Sequence, residues 1–317
     1  MKRLHGGASD RALLDFSENV NFLGPPSGVV AVLADAAKHV AHYPPPDAAP
    51  LREAVARRYG ISPECVLAGN GASELIYLIA ALLRDRAGRV VTPAFTEYED
   101  ACEAFGIRLG GASPEVTFVG NPTSPEGRLR PRSEILSLPG IRVVDEAFMD
   151  FAGERGSLLG EAAEDPTIVV LRSLTKFYAL PGLRVGFAVA VPETIRRMKA
   201  LQPPWSVNAI AQLAGVAALE DRGHGKRTRL ELPPAREALS SALSGVGLDP
   251  FPSETNYLLC RVRDASSLEQ SLRVRGIAVR NCSSFTGLEP NRYLRLAVRA
   301  PEDNRRLVSM LAQIGSR

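Results

Sequence analysis

Between residues 60 and 190, short apolar runs bounded by turn residues alternate with stretches of helical period. The runs are Cys65 to Ala68, Arg89 to Thr92, Val116 to Val119, Ile141 to Val144, Thr167 to Leu171 and Gly186 to Ala190. Runs of this length predict buried strands, and their alternation with helices predicts a mostly parallel sheet covered by helices. After Pro203-Pro204 a long helical pattern runs from Val207 to Ser244, with breaks expected near Gly223 and at Pro233-Pro234. Three further strands, near Asn256 to Val262, Ile277 to Arg280 and Tyr293 to Val298, alternate with helices and read as a small α+β unit. The pattern divides the chain into an N-terminal arm over residues 1–25 that joins the small domain, a large domain over 26–220 and a small domain over 221–317. Neither an internal repeat nor a low-complexity tract interrupts it.

In a parallel sheet the chemistry sits where strands end and loops begin. Gly69-Asn70-Gly71 follows the first predicted strand, Asn121-Pro122 the third, Asp145-Glu146 the fourth and Lys176 the fifth, so the topology brings these residues to one edge. Lys176 stands just beyond a buried run, where loss of hydration lowers an amine's pKa and frees it to attack carbonyls. Ser173 and Thr175 beside it can hydrogen-bond phosphate oxygens, and Arg184 can add a bidentate contact. Gly69-Asn70-Gly71-Ala72-Ser73-Glu74 opens a predicted helix whose free amides can cradle a phosphate. Taken alone, such a turn is as often only structural. Asp145, a carboxylate at a buried strand end, requires a partner, because an unpaired buried charge is costly.

Composition narrows the partner. The 317-residue chain is 45% apolar, which suffices for a sizeable core, and its formal net charge of +3 is too small to argue for nucleic acid. The four cysteines, Cys65, Cys102, Cys260 and Cys282, are far apart and match no metal spacing, so they read as reduced structural thiols. With no secretory or membrane-spanning run, a cytoplasmic protein acting on a small molecule is expected.

The segment from Arg172 to Gly186, with its Ser173-Leu174-Thr175-Lys176 and Arg184, resembles the lysine motif of fold-type I pyridoxal phosphate (PLP) enzymes in the histidinol-phosphate aminotransferase branch. Within that branch the chain is most similar to the threonine-phosphate decarboxylases of cobalamin biosynthesis, in order from His5-Gly6-Gly7 to Tyr293-Leu294-Arg295. The resemblance implies an α/β fold-type I transferase architecture, with PLP as cofactor and Lys176 as its Schiff-base residue. It places the cofactor phosphate on Ala72, Ser73, Ser173, Thr175 and Arg184, with Tyr43 reaching it from a neighbouring subunit of a homodimer. Asp145 pairs with the pyridine nitrogen and Tyr98 stacks on the ring, and both count with Lys176 as catalytic residues. Asn121 and Ser124 are placed near the ring oxygen. On the substrate side it implies Arg295 for the α-carboxylate, with His5, Asn21 or its neighbour Asn19, and Arg280 near a second anionic group. Alternation along the strand adds Arg299 to the face of Arg295.

Two departures from the aminotransferase pattern stand out: Phe148 replaces a tyrosine, as in the decarboxylases, and Ser124 replaces an asparagine. The resemblance thus implies decarboxylation of a phosphorylated amino acid, most simply O-phospho-L-threonine to aminopropanol phosphate. The alternatives are a histidinol-phosphate-type aminotransferase and a decarboxylase of another biosynthetic pathway. A PLP-sensing regulator is not expected, because the family pattern already begins at His5 and leaves no room for a preceding helix-turn-helix domain. The stretch between Phe105 and Val116 is short for the family.

Overall fold

A computed structural model describes residues 6–7, 10 and 12–315. In chain order the strands are β1 (Leu14–Asp15), β2 (Val66–Gly69), β3 (Ala87–Val90), β4 (Arg108–Leu109), β5 (Val116–Gly120), β6 (Ile141–Asp145), β7 (Ile168–Ser173) and β8 (Gly186–Val189), followed by β9 (Asp249–Pro250), β10 (Tyr257–Arg261), β11 (Ile277–Ala278), β12 (Arg280–Asn281) and β13 (Tyr293–Ala297). Strands β2 to β8 form one sheet in the order β2-β8-β7-β6-β5-β3-β4. All its pairs are parallel except those of β8, which runs antiparallel to both β2 and β7. Strands β2, β5 and β7 are buried at every position, which is why they read as continuous apolar runs rather than as alternating ones.

Register explains the convergence of the motifs. Gly120 lies opposite Asp145, and Asp145 opposite Leu171, so the loops after β5, β6 and β7 leave the sheet side by side. Gly186 at the start of β8 faces both Ser173 and Gly69, which brings the end of β2 to the same edge. A second sheet, β12-β13-β10-β9, is antiparallel, and the arm strand β1 pairs in parallel with β11. This pairing ties Leu14 and Asp15 of the arm to the C-terminal third of the chain.

The long helical pattern resolves into helices Ala209–Glu220 and Arg222–Gly245. They part at Asp221, whose Oδ1 accepts a hydrogen bond from the His224 amide at 2.8 Å. The expected break at Pro233-Pro234 does not occur, and the second helix continues through both prolines. Each proline withholds one amide, from the carbonyls of Arg229 and Leu230, and both of those residues lie on the exposed side. The buried face of Thr228, Leu232, Leu239 and Leu243 holds the helix together across the gap. Among the described residues, no helix is long and apolar enough to cross a membrane.

Candidate active site

A cavity of about 480 Å³ opens at the carboxyl ends of β2, β5, β6 and β7, and residues 17–20 of the N-terminal arm and Arg295 of β13 close its other side. At one end stands the first turn of helix Gly71–Leu82. Ala72 and Ser73 line the cavity there, with amides that have no partner within the helix. Gly71 has φ +79°, and a Cβ on it would lie 2.5 Å from the Arg184 Nη2, so only glycine lets that guanidinium rest on the helix start. Arg184 donates from Nη1 to the Pro181 carbonyl at 3.1 Å and has no carboxylate partner among the described residues. Ser173 and Thr175 complete this end, their hydroxyl oxygens 2.7 Å apart. Two hydroxyls, a helix N-terminus and an unmatched arginine together make a site for an anion with several oxygens.

Asp145 ends β6 inside the cavity. Its Oδ2 accepts from the Tyr98 hydroxyl at 2.7 Å and its Oδ1 from the Ala147 amide at 2.9 Å. Burial pushes the carboxyl above its ordinary pKa, against these two hydrogen bonds. Lys176 is half-buried and makes no side-chain hydrogen bond among the described residues. Burial, with Arg295 and Arg184 close by, pushes its amine down to about 8, while Glu18 and Asp145 act the other way.

Arg295 is the cation of the opposite wall, with 8% of its surface exposed. It donates to the Ser124 hydroxyl and the Ser17 carbonyl, each at 3.2 Å. With the Asn19 amide oxygen turned toward it, that oxygen accepts from Nε and Nη1 at 3.2 and 3.3 Å. All these partners are neutral, so among the described residues a buried guanidinium faces the cavity without a counter-ion, and burial holds its pKa below the usual arginine range.

Several expected site residues stand elsewhere. Asn21 is buried away from the cavity: its amide nitrogen donates to the Phe177 carbonyl and the Thr228 hydroxyl, each at 2.9 Å, and Asn19 takes the place at the wall. Asn121 donates to the Gly156 carbonyl at 3.1 Å and accepts from the Arg130 amide at 2.8 Å, which spends its amide on the loop, while Ser124 lines the cavity. Arg299 lies past the end of β13, where alternation no longer governs direction, and it pairs with Asp303 at 3.0 Å and the Asp15 carbonyl at 2.9 Å. Arg280 pairs opposite Arg295 in the sheet but is not part of the cavity wall; it donates to Ser284 Oγ at 3.0 Å and lies over the Phe285 ring. Tyr43, expected at a neighbouring subunit's cofactor, does not line this chain's own cavity; it is 85% exposed, its ring 5.1 Å from that of Trp205. His5 lies outside the described residues.

Tyr98 is at the cavity, yet it is 3% exposed and its hydroxyl holds Asp145. The more accessible ring is Phe95, half-buried on the cavity wall and edge-on to Tyr98 at 5.9 Å. Phe95 was visible in the sequence as an aromatic two residues after Pro93. Nothing in the sequence marked Ser17 or Glu18. Phe148 lines the cavity and packs edge-on against Tyr257 at 5.0 Å, bringing no hydroxyl. Glu146 faces away and pairs with the buried Arg172 at 2.9 Å, while Ser157 and the Leu158 amide bond its oxygens at 2.8 and 2.7 Å. This network anchors the end of β7 behind Lys176.

The arrangement fits pyridoxal phosphate. Among the described residues the buried Asp145 has no ion-pair partner, where a protonated ring nitrogen would supply one, Arg184 has no anion, where a phosphate would supply one, and both act electrostatically on the amine of Lys176.

The chain matches the family model described as aminotransferase class I and II over residues 11–111 and 109–311. It is 36% identical to the threonine-phosphate decarboxylase of Salmonella typhimurium, over 97% of this chain and 93% of that protein. It is 32% identical to a histidinol-phosphate aminotransferase of Aromatoleum aromaticum, over 95% of this chain and 92% of the relative. Among solved structures, L-threonine-O-3-phosphate decarboxylase from Porphyromonas gingivalis superposes with a TM-score of 0.88 at 27% identity, covering 95% of this chain and 99% of the other.

Proposed function

The chain belongs to the aminotransferase class I and II family, and from that premise we propose that it is a PLP-dependent decarboxylase of a phosphorylated amino acid, most simply O-phospho-L-threonine. The observation that carries the reading is a desolvated lysine set between an unmatched anion site at Arg184 and an unmatched buried arginine, Arg295, in one cavity. In this reading Ala72, Ser73, Ser173, Thr175 and Arg184 hold the cofactor phosphate, Asp145 its ring nitrogen and Lys176 its aldehyde carbon. When bound, the cofactor supplies a cationic ring that draws electrons from the substrate's α-carbon.

The protein's own groups do the rest. Arg295, with Asn19 and Ser124 fixing its plane, binds the substrate carboxylate in a buried setting where a guanidinium is worth more than in water. Tyr98 keeps Asp145 aimed and hydrogen-bonded, which works against the upward push of burial on its carboxyl. Lys176, pushed down to about 8, holds a proton near neutrality yet releases it readily, which suits it to return a proton to the α-carbon. Phe95 and Phe148 give the cavity apolar walls.

Decarboxylation rather than amino-group transfer is supported by the likeness to the Salmonella typhimurium enzyme and by Phe148. Histidinol-phosphate-type transamination is the second reading, supported by the Aromatoleum aromaticum relative. Mass spectrometry of the products, with and without an α-keto acid acceptor, separates the two. Aminopropanol phosphate formed without acceptor supports the proposal, and product formed only with acceptor overturns it.

The reading extends to a homodimer in the cytoplasm. The exposed, mutually packed Tyr43 and Trp205, with Val40 71% exposed nearby in sequence, offer an apolar surface for a second copy. Light scattering should give about twice the 34.0 kDa of one chain, and a single-chain mass at working concentration would remove the dimer.

A further inference from the structure

The charged groups lining the cavity among the described residues are Lys176, Arg184 and Arg295 on one side of the ledger and Asp145, Glu97 and Glu18 on the other. The proposed function assigns all three cations and Asp145, to cofactor and α-carboxylate. Glu97 is buried and has a partner. Glu18 is different: it is exposed at the mouth, makes no hydrogen bond or ion pair among the described residues, and acts on the Lys176 amine ahead of Asp145. The backbone of Gly7 gives its carboxylate room, since a Cβ there would lie 2.7 Å from Oε1. A carboxylate unmatched among the described residues thus lines the cavity beside Ser17 and Asn19, on the wall of Arg295, and a substrate whose α-carboxylate meets Arg295 brings its distal group within the same walls. A phosphate dianion beside it would be repelled, whereas a group with an O–H or N–H would be bound.

We propose that Glu18 is a specificity-determining residue that requires a hydrogen-bond donor on the distal end of the substrate, so that a phosphorylated amino acid is taken with its phosphate singly protonated. The inference rests on the reading of this cavity as the site of a phosphorylated amino acid. It needs no change in the chemistry at the α-carbon. The proton stays on the phosphate, shared with a Glu18 oxygen, and the substrate enters as the rarer ionic form at neutral pH.

The test compares wild type with Glu18→Gln in the PLP-loaded protein, measuring KM for O-phospho-L-threonine between about pH 5.5 and 7.5. The second ionisation of a phosphate ester falls near 6, so the singly protonated fraction drops by about twenty-fold over that range. KM of wild type should rise by about that factor, and KM of the variant by less than about three-fold. Lys176, Arg184, Arg295, Asp145 and Glu97 face the same space in both proteins, and because Glu18 also acts on the Lys176 amine, a comparison in the Lys176→Ala background removes that contribution. Parallel profiles overturn the proposal. Calorimetric binding of O-phospho-L-threonine to Lys176→Ala, with and without Glu18→Gln, reads the same pH difference without turnover. If wild type releases no carbon dioxide yet the binding profiles diverge, the decarboxylase reading fails and Glu18 stands. If they coincide, Glu18 falls whatever the chemistry.

Discussion

At the residue scale the site turns on a lysine kept in an unfavourable place. The amine of Lys176 titrates near 8 in the folded chain against an ordinary 10.5, so below 8 the native state carries a charge it would rather lose, and the unfolded chain does not. That penalty is fully present at pH 7 and is relieved as pH rises from about 8 to 10.5. Lys176→Met should therefore stabilise the cofactor-free protein at pH 7 by roughly 1–3 kcal/mol, with the gain shrinking toward zero above pH 10. Urea unfolding of both proteins across that range checks it; a variant no more stable than wild type at pH 7 would contradict the desolvated lysine. Much of this residue's setting was legible in sequence, because the apolar run before it requires burial. The roles of Asn21, Asn121 and Arg299 were not, because each spends its polar atoms on a local carbonyl, amide or carboxylate that only the fold brings near.

At the element scale, strand ends and a helix start make the site. The six apolar runs of the large sheet fall within a few residues of β2, β3 and β5 to β8, since strands buried on both faces leave a plain signal in the sequence. The two-residue strands β1, β4 and β9 left none, because a pair of ladder bonds imposes no pattern on side chains, and the single strand expected from Ile277 to Arg280 divides at Val279 into β11 and β12, which belong to different sheets. The uninterrupted helix through Pro233-Pro234 escaped for another reason: local propensity yielded to a buried face contributed by residues on either side. The helix starting at Gly71 depends on a residue without a side chain. Gly71→Ala forces a Cβ into the Arg184 guanidinium and strains a backbone at φ +79°, so cofactor affinity should fall by about ten-fold or more. Equilibrium titration of the variant with PLP, followed by its absorbance, measures this, and an unchanged affinity would remove Arg184 from the anion site.

At the scale of the whole molecule, the cavity has three contributors. The large sheet supplies Asp145, Lys176 and the anion end, the antiparallel sheet supplies Arg295, and the arm supplies Ser17, Glu18 and Asn19. Strand β1 binds the arm to β11, so Ser17, Glu18 and Asn19 are tied to the C-terminal part of the chain that also carries Arg295. That three-part assembly was only partly legible from sequence: motif spacing pointed to the edge of the large sheet and the resemblance to the arm and Asn19, whereas Ser17 and Glu18 enter through long-range pairing that leaves no local trace. The central claim is that Lys176 serves a decarboxylation in this cavity. Release of labelled carbon dioxide from carboxyl-labelled O-phospho-L-threonine, by PLP-loaded wild type and by Lys176→Ala without any keto acid, tests it most directly. The account predicts many turnovers for wild type and a loss of at least about a thousand-fold in the variant. Equal release by the two proteins, or none by wild type under conditions where an acceptor keto acid restores turnover, would contradict it.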